Sequence, residues 1–296
     1  MKERAIYALG FFDGVHLGHQ ALLTQCRYLA DDLGCMAGVV TFSGHPDTLV
    51  HGRTPLLINT PEDRKKLLMQ QFHMDTVVEL PFDRAMMTMP WQAFIEMLVE
   101  RYGAAGFVCG HDFRFGDRGA GSAALLQEYC ADRNLPCRIV PEQRLDGITV
   151  SSTHIRALLE QGEMEQAVRF LGHPHILTGE VVSGRKLGRT LGIPTANLLI
   201  PEGVVQLRYG VYACKARTED GDYLAVTNVG NRPTVGGHRV TVEPWLMDFE
   251  GDLYGKSVTL SFHAFVRPER KFDSLEELRS EIRKNAEQTR KIFEKT

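Results

Sequence analysis

Gly10-Phe11-Phe12-Asp13-Gly14-Val15-His16-Leu17-Gly18-His19 follows a short apolar run at residues 5–9 and opens into a helix-like segment at 20–33. A strand, a glycine-bearing turn and a helix start in that order make an anion site, because turn amides and a helix N-terminus both favour negative charge. Gly14 lets the backbone come close, and His16 and His19, three residues apart, can face one phosphate. The stretch contains neither GxxxxGK[ST] nor GxGxxG, so it is not a P-loop or a dinucleotide fingerprint. The plain alternative is a turn carrying two surface histidines.

The first half of the chain alternates strand-like and helix-like patterns. Strands are expected at 5–9, 36–42, 76–80, 106–109 and 137–140, and helices at 20–33, 62–72, 90–102 and 122–133. This alternation predicts a doubly wound, mostly parallel α/β sheet. Such sheets bind ligands beyond the carboxyl ends of their strands, where the glycine-rich segments of this half fall. Two short helices are expected at 151–160 and 163–171, and Gly172-His173-Pro174 then punctuates the chain. Two domains are expected, 1–172 and 173–296. In the second, strand patterns at 179–183, 210–217, 223–229, 239–249 and 257–266 predict a compact antiparallel β-barrel or sandwich. A closing helix begins at Ser274, where Ser274 and Glu277 fit a capping box. Leu275, Leu278, Ile282, Ile292 and Phe293 form its expected apolar stripe.

Three segments join the opening turn: Thr41-Phe42-Ser43-Gly44-His45-Pro46, Gly110-His111-Asp112-Phe113-Arg114-Phe115-Gly116, and Ser151-Ser152-Thr153-His154-Ile155-Arg156. Attack of a phosphate oxygen on the α-phosphorus of ATP builds negative charge on the non-bridging oxygens and the departing pyrophosphate. Placed cations, hydroxyls and amides stabilise that charge without a covalent nucleophile. Ser151, Ser152 and Thr153 suit that task and equally suit simple helix capping.

Taken in order over residues 10–156, these segments resemble the FMN adenylyltransferase module of bacterial bifunctional FAD synthetases. The resemblance implies that His16 and His19 contact ATP phosphates and the transition state. It implies that His45 lies near those phosphates or the flavin phosphate, that Ser151, Ser152, Thr153 and Arg156 bind the pyrophosphate portion, and that Asp112, Phe113 and Arg114 lie with the flavin. Asp13 is either a direct participant or a turn former. Phe11, Ser43-Gly44 and His154 depart from the commonest family pattern.

The second half opens with Gly184-Arg185-Lys186-Leu187-Gly188, a basic glycine-rich loop suited to a polyphosphate or merely to solvent. In Pro194-Thr195-Ala196-Asn197, Thr195 and Asn197 are two apart and share a face if the segment is extended. Their hydroxyl and amide carbonyl are hard oxygen donors suited to Mg²⁺ held on nucleotide phosphates. Glu243 lies in an apolar strand beside a tryptophan, where a carboxylate is costly to bury unless paired or used. It is a candidate general base on a primary alcohol, or else a solvent-facing strand residue. In order, these segments and Asn228-Val229-Gly230-Asn231-Arg232 resemble riboflavin kinase over roughly residues 177–293. The resemblance implies Mg²⁺–ATP at Thr195 and Asn197, a nucleotide loop at Gly184, Arg185, Lys186 and Gly188, flavin contacts at Asn228 and Arg232, and proton removal by Glu243.

Of 296 residues 43% are hydrophobic and 24% charged, and the formal net charge is −3, which argues against an electrostatic nucleic-acid binder. No apolar run reaches membrane-spanning length. Six scattered cysteines without CxxC pairs read as thiols of a cytoplasmic protein. The expected partners are therefore small molecules: riboflavin, FMN, ATP and the product FAD, with neither nucleic acid nor membrane. Self-association into a homo-oligomer is left open. The expected activity is bifunctional, riboflavin to FMN and FMN to FAD. The alternatives are a riboflavin kinase whose adenylyl transfer is lost through the three departures, and a non-catalytic flavin-binding regulator.

Overall fold

The computed structural model describes residues 4–182, 193–234 and 237–294, with only the backbone described for 232–234 and 237–239. The chain divides into two compact units, residues 1–57 with 64–152 and residues 58–63 with 153–296. The division falls at 152/153 where the sequence punctuation falls at 172, and the segment 58–63 goes with the second unit.

The first unit is built on β1 (Ala5–Leu9), β2 (Met36–Phe42), β3 (Thr76–Leu80), β4 (Ala104–Gly110) and β7 (Cys137–Val140). They form a parallel sheet in the order β3-β2-β1-β4-β7, the doubly wound arrangement expected from the alternation. Every residue of β1 is buried, since a central parallel strand is covered on both faces. Two ribbons, β5 (Arg114–Phe115) with β6 (Gly121–Ser122) and β8 (Arg144–Leu145) with β9 (Ile148–Thr149), follow β4 and β7.

Its helices are α1 (Leu17–Leu33), α2 (Asp47–Val50), α4 (Arg84–Met87), α5 (Trp91–Tyr102) and α6 (Ala123–Ala131), and α3 (Pro61–Lys66) is divided between the units after Asp63. The helix expected at 62–72 is instead α-helical only to Lys66 and continues as a π-helix, Leu67–Gln71. One core cluster joins Tyr7, Leu9, Phe107 and Cys109 of the sheet to Phe94, Ile95 and Leu98 of α5 and Leu126 of α6.

The second unit takes in most of α7 (Ser152–Gln161) and all of α8 (Met164–Leu171), then β10 (His175–Val182), β11 (Asn197–Leu198), β12 (Gly210–Thr218), β13 (Gly221–Thr234), β14 (Gly237–Leu246) and β15 (Ser257–Pro268). The six strands close into an antiparallel barrel in the order β10-β11-β14-β13-β12-β15. Strand β10 alternates buried residues with half-buried or exposed ones, as a barrel wall requires. The two-residue β11, which sequence patterning missed, closes the ring.

The terminal helix α9 (Leu275–Glu294) packs on the outer wall, with Ala286 against Val211, Val226 and Met247. Ser274 Oγ accepts from Glu277 N–H at 3.1 Å, as a capping box demands. Glu277 reaches one residue further back than expected, accepting from Asp273 N–H at 3.1 Å. Leu275 is exposed rather than part of the buried stripe, which instead includes Asn285, Ala286 and Thr289.

Burial pushes His175, at the start of β10, down to about 3, with the neighbouring His173 adding repulsion. Above the unfolded value of about 6.5 the residue is neutral in both states, so its contribution is then fully present. As the pH falls the unfolded chain gains a proton that the fold refuses. At pH 5 the barrel is expected to lose about 2 kcal/mol on this account. Denaturant unfolding at pH 7 and pH 5 measures it: His175→Leu should flatten the pH slope, and an unchanged slope contradicts the assignment.

Candidate functional site

In the first unit a cavity of about 300 Å³ opens beyond the carboxyl ends of β1, β4 and β7. Its walls are Leu9-Gly10, the His16–His19 turn, Gly110–Phe113, Val140–Gln143 and Thr149–Ser152. The turn is held in an unusual shape, with φ of +59° at Phe12, +79° at Gly14 and +41° at Val15. Non-glycine residues in that region cost on the order of 1–3 kcal/mol each and persist only where the surroundings over-determine them. Here Thr41 Oγ1 donates to Phe11 O at 2.8 Å, Ser152 Oγ to Asp13 O at 2.9 Å and Gln20 Nε2 to Val15 O at 2.9 Å.

His16 is the N-cap of α1: its Nδ1 accepts from His19 N–H at 3.3 Å. An accepting Nδ1 places the ring proton on Nε2. A Cβ at Gly18 would lie 3.1 Å from His16 Cε1, so glycine there gives the ring its room. The rings of His16 and His19 stack with centroids 3.7 Å apart. Burial, then His16, then Arg64 hold His19 well below the usual imidazole range, so it is neutral at pH 7. Asp13 is buried beneath the turn.

Not every candidate lies on these walls. Ser151, Ser152, Asp112 and Phe113 do, and Phe113 stacks on Phe115 at 5.2 Å. Arg114 is exposed and off the walls. His45 is also off them: its Nδ1 accepts from Asp47 N–H at 3.2 Å and its ring meets Phe11 edge-on at 4.6 Å. Thr153 and Arg156 belong to the second unit, as does His154, whose ring packs edge-on against Phe170 at 4.7 Å.

In the second unit, strand register does what sequence spacing could not. Leu198 pairs with Val242, and Ala196 N–H donates to Pro244 O at 2.9 Å. That register sets Asn197 opposite Glu243, and Glu243 is itself paired with Asn228. The three residues form one row across β11, β14 and β13, on one face, with neighbouring Cβ atoms about 5 Å apart. Asn197 Oδ1 is buried and has no hydrogen-bond partner among the described residues. Asn228 Nδ2 points to Glu269 Oε1 at 3.5 Å, a neighbour the sequence reading missed.

Thr195 lines a second cavity of about 270 Å³, walled by Val181, Pro194–Ala196, Leu246 and Phe249–Tyr254. Asp252 caps a turn there, its Oδ1 accepting from Tyr254 N–H at 3.0 Å, while Asp248 pairs with Arg290 of α9 at 2.9 Å. Gly184, Arg185, Lys186 and Gly188 lie outside the described residues. Arg232 lies on β13, and its side chain is likewise outside the description.

The fold thus carries a histidine turn suited to phosphate charge on an α/β unit, and a hard-donor row with an adjacent carboxylate on a barrel. That pairing defines an ATP-dependent transferase with two sites. A sequence model of the FAD synthetase family matches residues 1–154, and one of the riboflavin kinase family matches residues 171–293. A bifunctional riboflavin kinase/FMN adenylyltransferase of Listeria monocytogenes is 33% identical, over 98% of this chain and 93% of its own length. Its counterpart in Haemophilus influenzae is 35% identical over 96% and 93%. A crystal structure described as a macrolide-efflux protein from Streptococcus pneumoniae superposes with a TM-score of 0.87 at 29% identity, covering 98% of this chain and 95% of that one. Among the described residues no helix is long and apolar enough to cross a membrane. The chain belongs to the bifunctional riboflavin kinase/FMN adenylyltransferase family.

Proposed function

We propose that the barrel unit phosphorylates riboflavin to FMN with MgATP and that the α/β unit adenylylates FMN to FAD, releasing pyrophosphate. The observation that carries the reading is the row Asn197–Glu243–Asn228, which puts a carboxylate between an orphaned carbonyl oxygen and an amide on one barrel face. In the kinase step Glu243 takes the proton of the flavin's primary hydroxyl. Its oxygen bonds to the γ-phosphorus and the bond to the β-phosphate oxygen breaks, leaving ADP.

The orphaned Asn197 oxygen fits a hard cation, and Thr195 adds a hydroxyl two residues away. Among the described residues no cluster of three His, Cys, Asp or Glu side chains could hold a metal. Two neutral oxygens suit Mg²⁺ that arrives already held by phosphates. When bound, Mg²⁺ neutralises phosphate charge as the γ-phosphoryl group transfers.

In the adenylyl step a phosphate oxygen of FMN bonds to the α-phosphorus of ATP. The bond to the bridging oxygen breaks and pyrophosphate leaves. His16 Nε2–H and the amides at the start of α1 hold the developing charge, and Ser151 lies at the cavity wall. Asp112 and Phe113 meet the flavin. The substrates are small molecules in the cytoplasm.

Riboflavin, ATP and Mg²⁺ incubated with the purified chain should give FMN first and FAD later when the flavins are separated over time. FMN without FAD means that the kinase stands alone and points to the departures at Phe11, Ser43-Gly44 and His154. Flavin bound without turnover leaves only a regulator. Omitting Mg²⁺ should stop FMN formation.

A further inference from the structure

We infer that Arg64 is a positioning residue for adenylyl transfer, locking the histidine turn to the loop that carries His45. The inference rests on the assignment of adenylyl transfer to the α/β unit. Arg64 sits in α3 within Glu62-Asp63-Arg64-Lys65-Lys66, a run that reads as a solvated helix face. In the fold it is 1% exposed and heads the fully buried side chains by volume.

Its guanidinium fork spans two loops. Nη1 donates to Phe11 O at 3.1 Å and Nη2 donates to Phe42 O at 2.8 Å. Phe42 ends β2 and Phe11 lies two residues past the end of β1, where the segments bearing His45 and His16 begin. The guanidinium also lies over the Phe11 ring, 4.5 Å from its centroid, and that ring also meets His45 edge-on. Arg64, Phe11 and His45 are therefore one stack crossing both loops. Phe11 O receives a second donor from Thr41 Oγ1. With two donors fixed on it, that carbonyl sets the peptide plane leading into Phe12, whose φ is +59°.

A planar, permanently charged fork can serve two divergent carbonyls and a ring at once, whereas an ammonium is a point charge that serves fewer. The same charge helps hold His19 unprotonated. The π-helical turn Leu67–Gln71 follows at once, the kind of irregularity often retained at functional sites. The stack also gives Phe11 a part: its ring is the face on which Arg64 lies.

Arg64→Met and Arg64→Lys, each in the full chain, test this with FMN-to-FAD kinetics, riboflavin kinase rates and thermal melting on the same preparations. A small misplacement of phosphate-binding groups costs on the order of 100-fold in rate. Arg64→Met should lower kcat for FAD formation by about that factor, with KM for FMN and ATP within about threefold and the kinase rate unchanged. Arg64→Lys should recover about tenfold of the loss. An Arg64→Met enzyme that matches wild type in FAD formation overturns the inference. So does an equal loss of both activities with a lowered melting point that lysine fully repairs, because that marks bulk packing alone. If Arg64→Met does not fold, Arg64→Lys decides: kcat below wild type with KM intact supports the fork, and wild-type kcat refutes it. If wild type itself makes no FAD, the assignment of the unit fails first and the inference falls with it, a result told apart by the wild-type lane alone.

Discussion

Glu243→Gln is expected to lower FMN formation by about 10³-fold while leaving FMN-to-FAD conversion by the same chain at the wild-type rate. Proton removal by a placed base contributes typically ~10²–10⁴ in rate, and glutamine keeps the size and one carbonyl oxygen while losing the basic site. The register supports so specific an outcome. Glu243 stands between Asn197 and Asn228 in a row fixed by main-chain pairing, so the substitution changes chemistry rather than geometry. Riboflavin affinity, measured by quenching of flavin fluorescence, should stay within a fewfold of wild type. A regulator that only binds flavin would show no turnover to lose. A Glu243→Gln enzyme that phosphorylates riboflavin normally would remove Glu243 from the mechanism and leave the row a structural feature of the barrel. Unchanged FAD formation serves as the internal control, since the substitution lies in the other unit.

Periodicity and punctuation made the two architectures legible. The fully buried central strand Ala5–Leu9 and the helix after it are strong local signals, and so are turn residues between barrel strands. What remained illegible was set by register and by tertiary burial. Asn197 and Glu243 are 46 positions apart in sequence, and nothing local says that a two-residue strand will place them side by side. Arg64 was hidden for the opposite reason: its neighbours are charged, so local composition reads as surface. The boundary between units shows a third limit. Gly172-His173-Pro174 is a clear chain break, yet α8 lies against β10 and β15, so packing groups it with the barrel. His154 illustrates how a departure from family pattern can be a matter of packing, since its ring is engaged by Phe170 within the α7–α8 pair.

His16→Asn should separate the two tasks of one histidine. Through Nδ1 the ring caps α1, and the residue also lines the cavity with its ring proton on Nε2. Asparagine is among the best N-caps, so the helix start is preserved, whereas alanine forfeits about 1 kcal/mol there. Asparagine is too short to present a donor where Nε2 lies. FAD formation should therefore fall by about 10²–10³-fold, the usual cost of removing one donor aimed at developing charge. The melting temperature of the α/β unit should stay near that of wild type in His16→Asn and fall in His16→Ala, while both variants lose adenylyl transfer alike. His19 offers a check within the same stack. Without the His16 ring beside it one source of repulsion is gone, so its imidazole should titrate at higher pH than in wild type, read from its ring-proton NMR signal as the pH is lowered. If His16→Asn retained full FAD formation, charge stabilisation at this turn would come from the backbone amides alone, and the ring would serve only to start the helix.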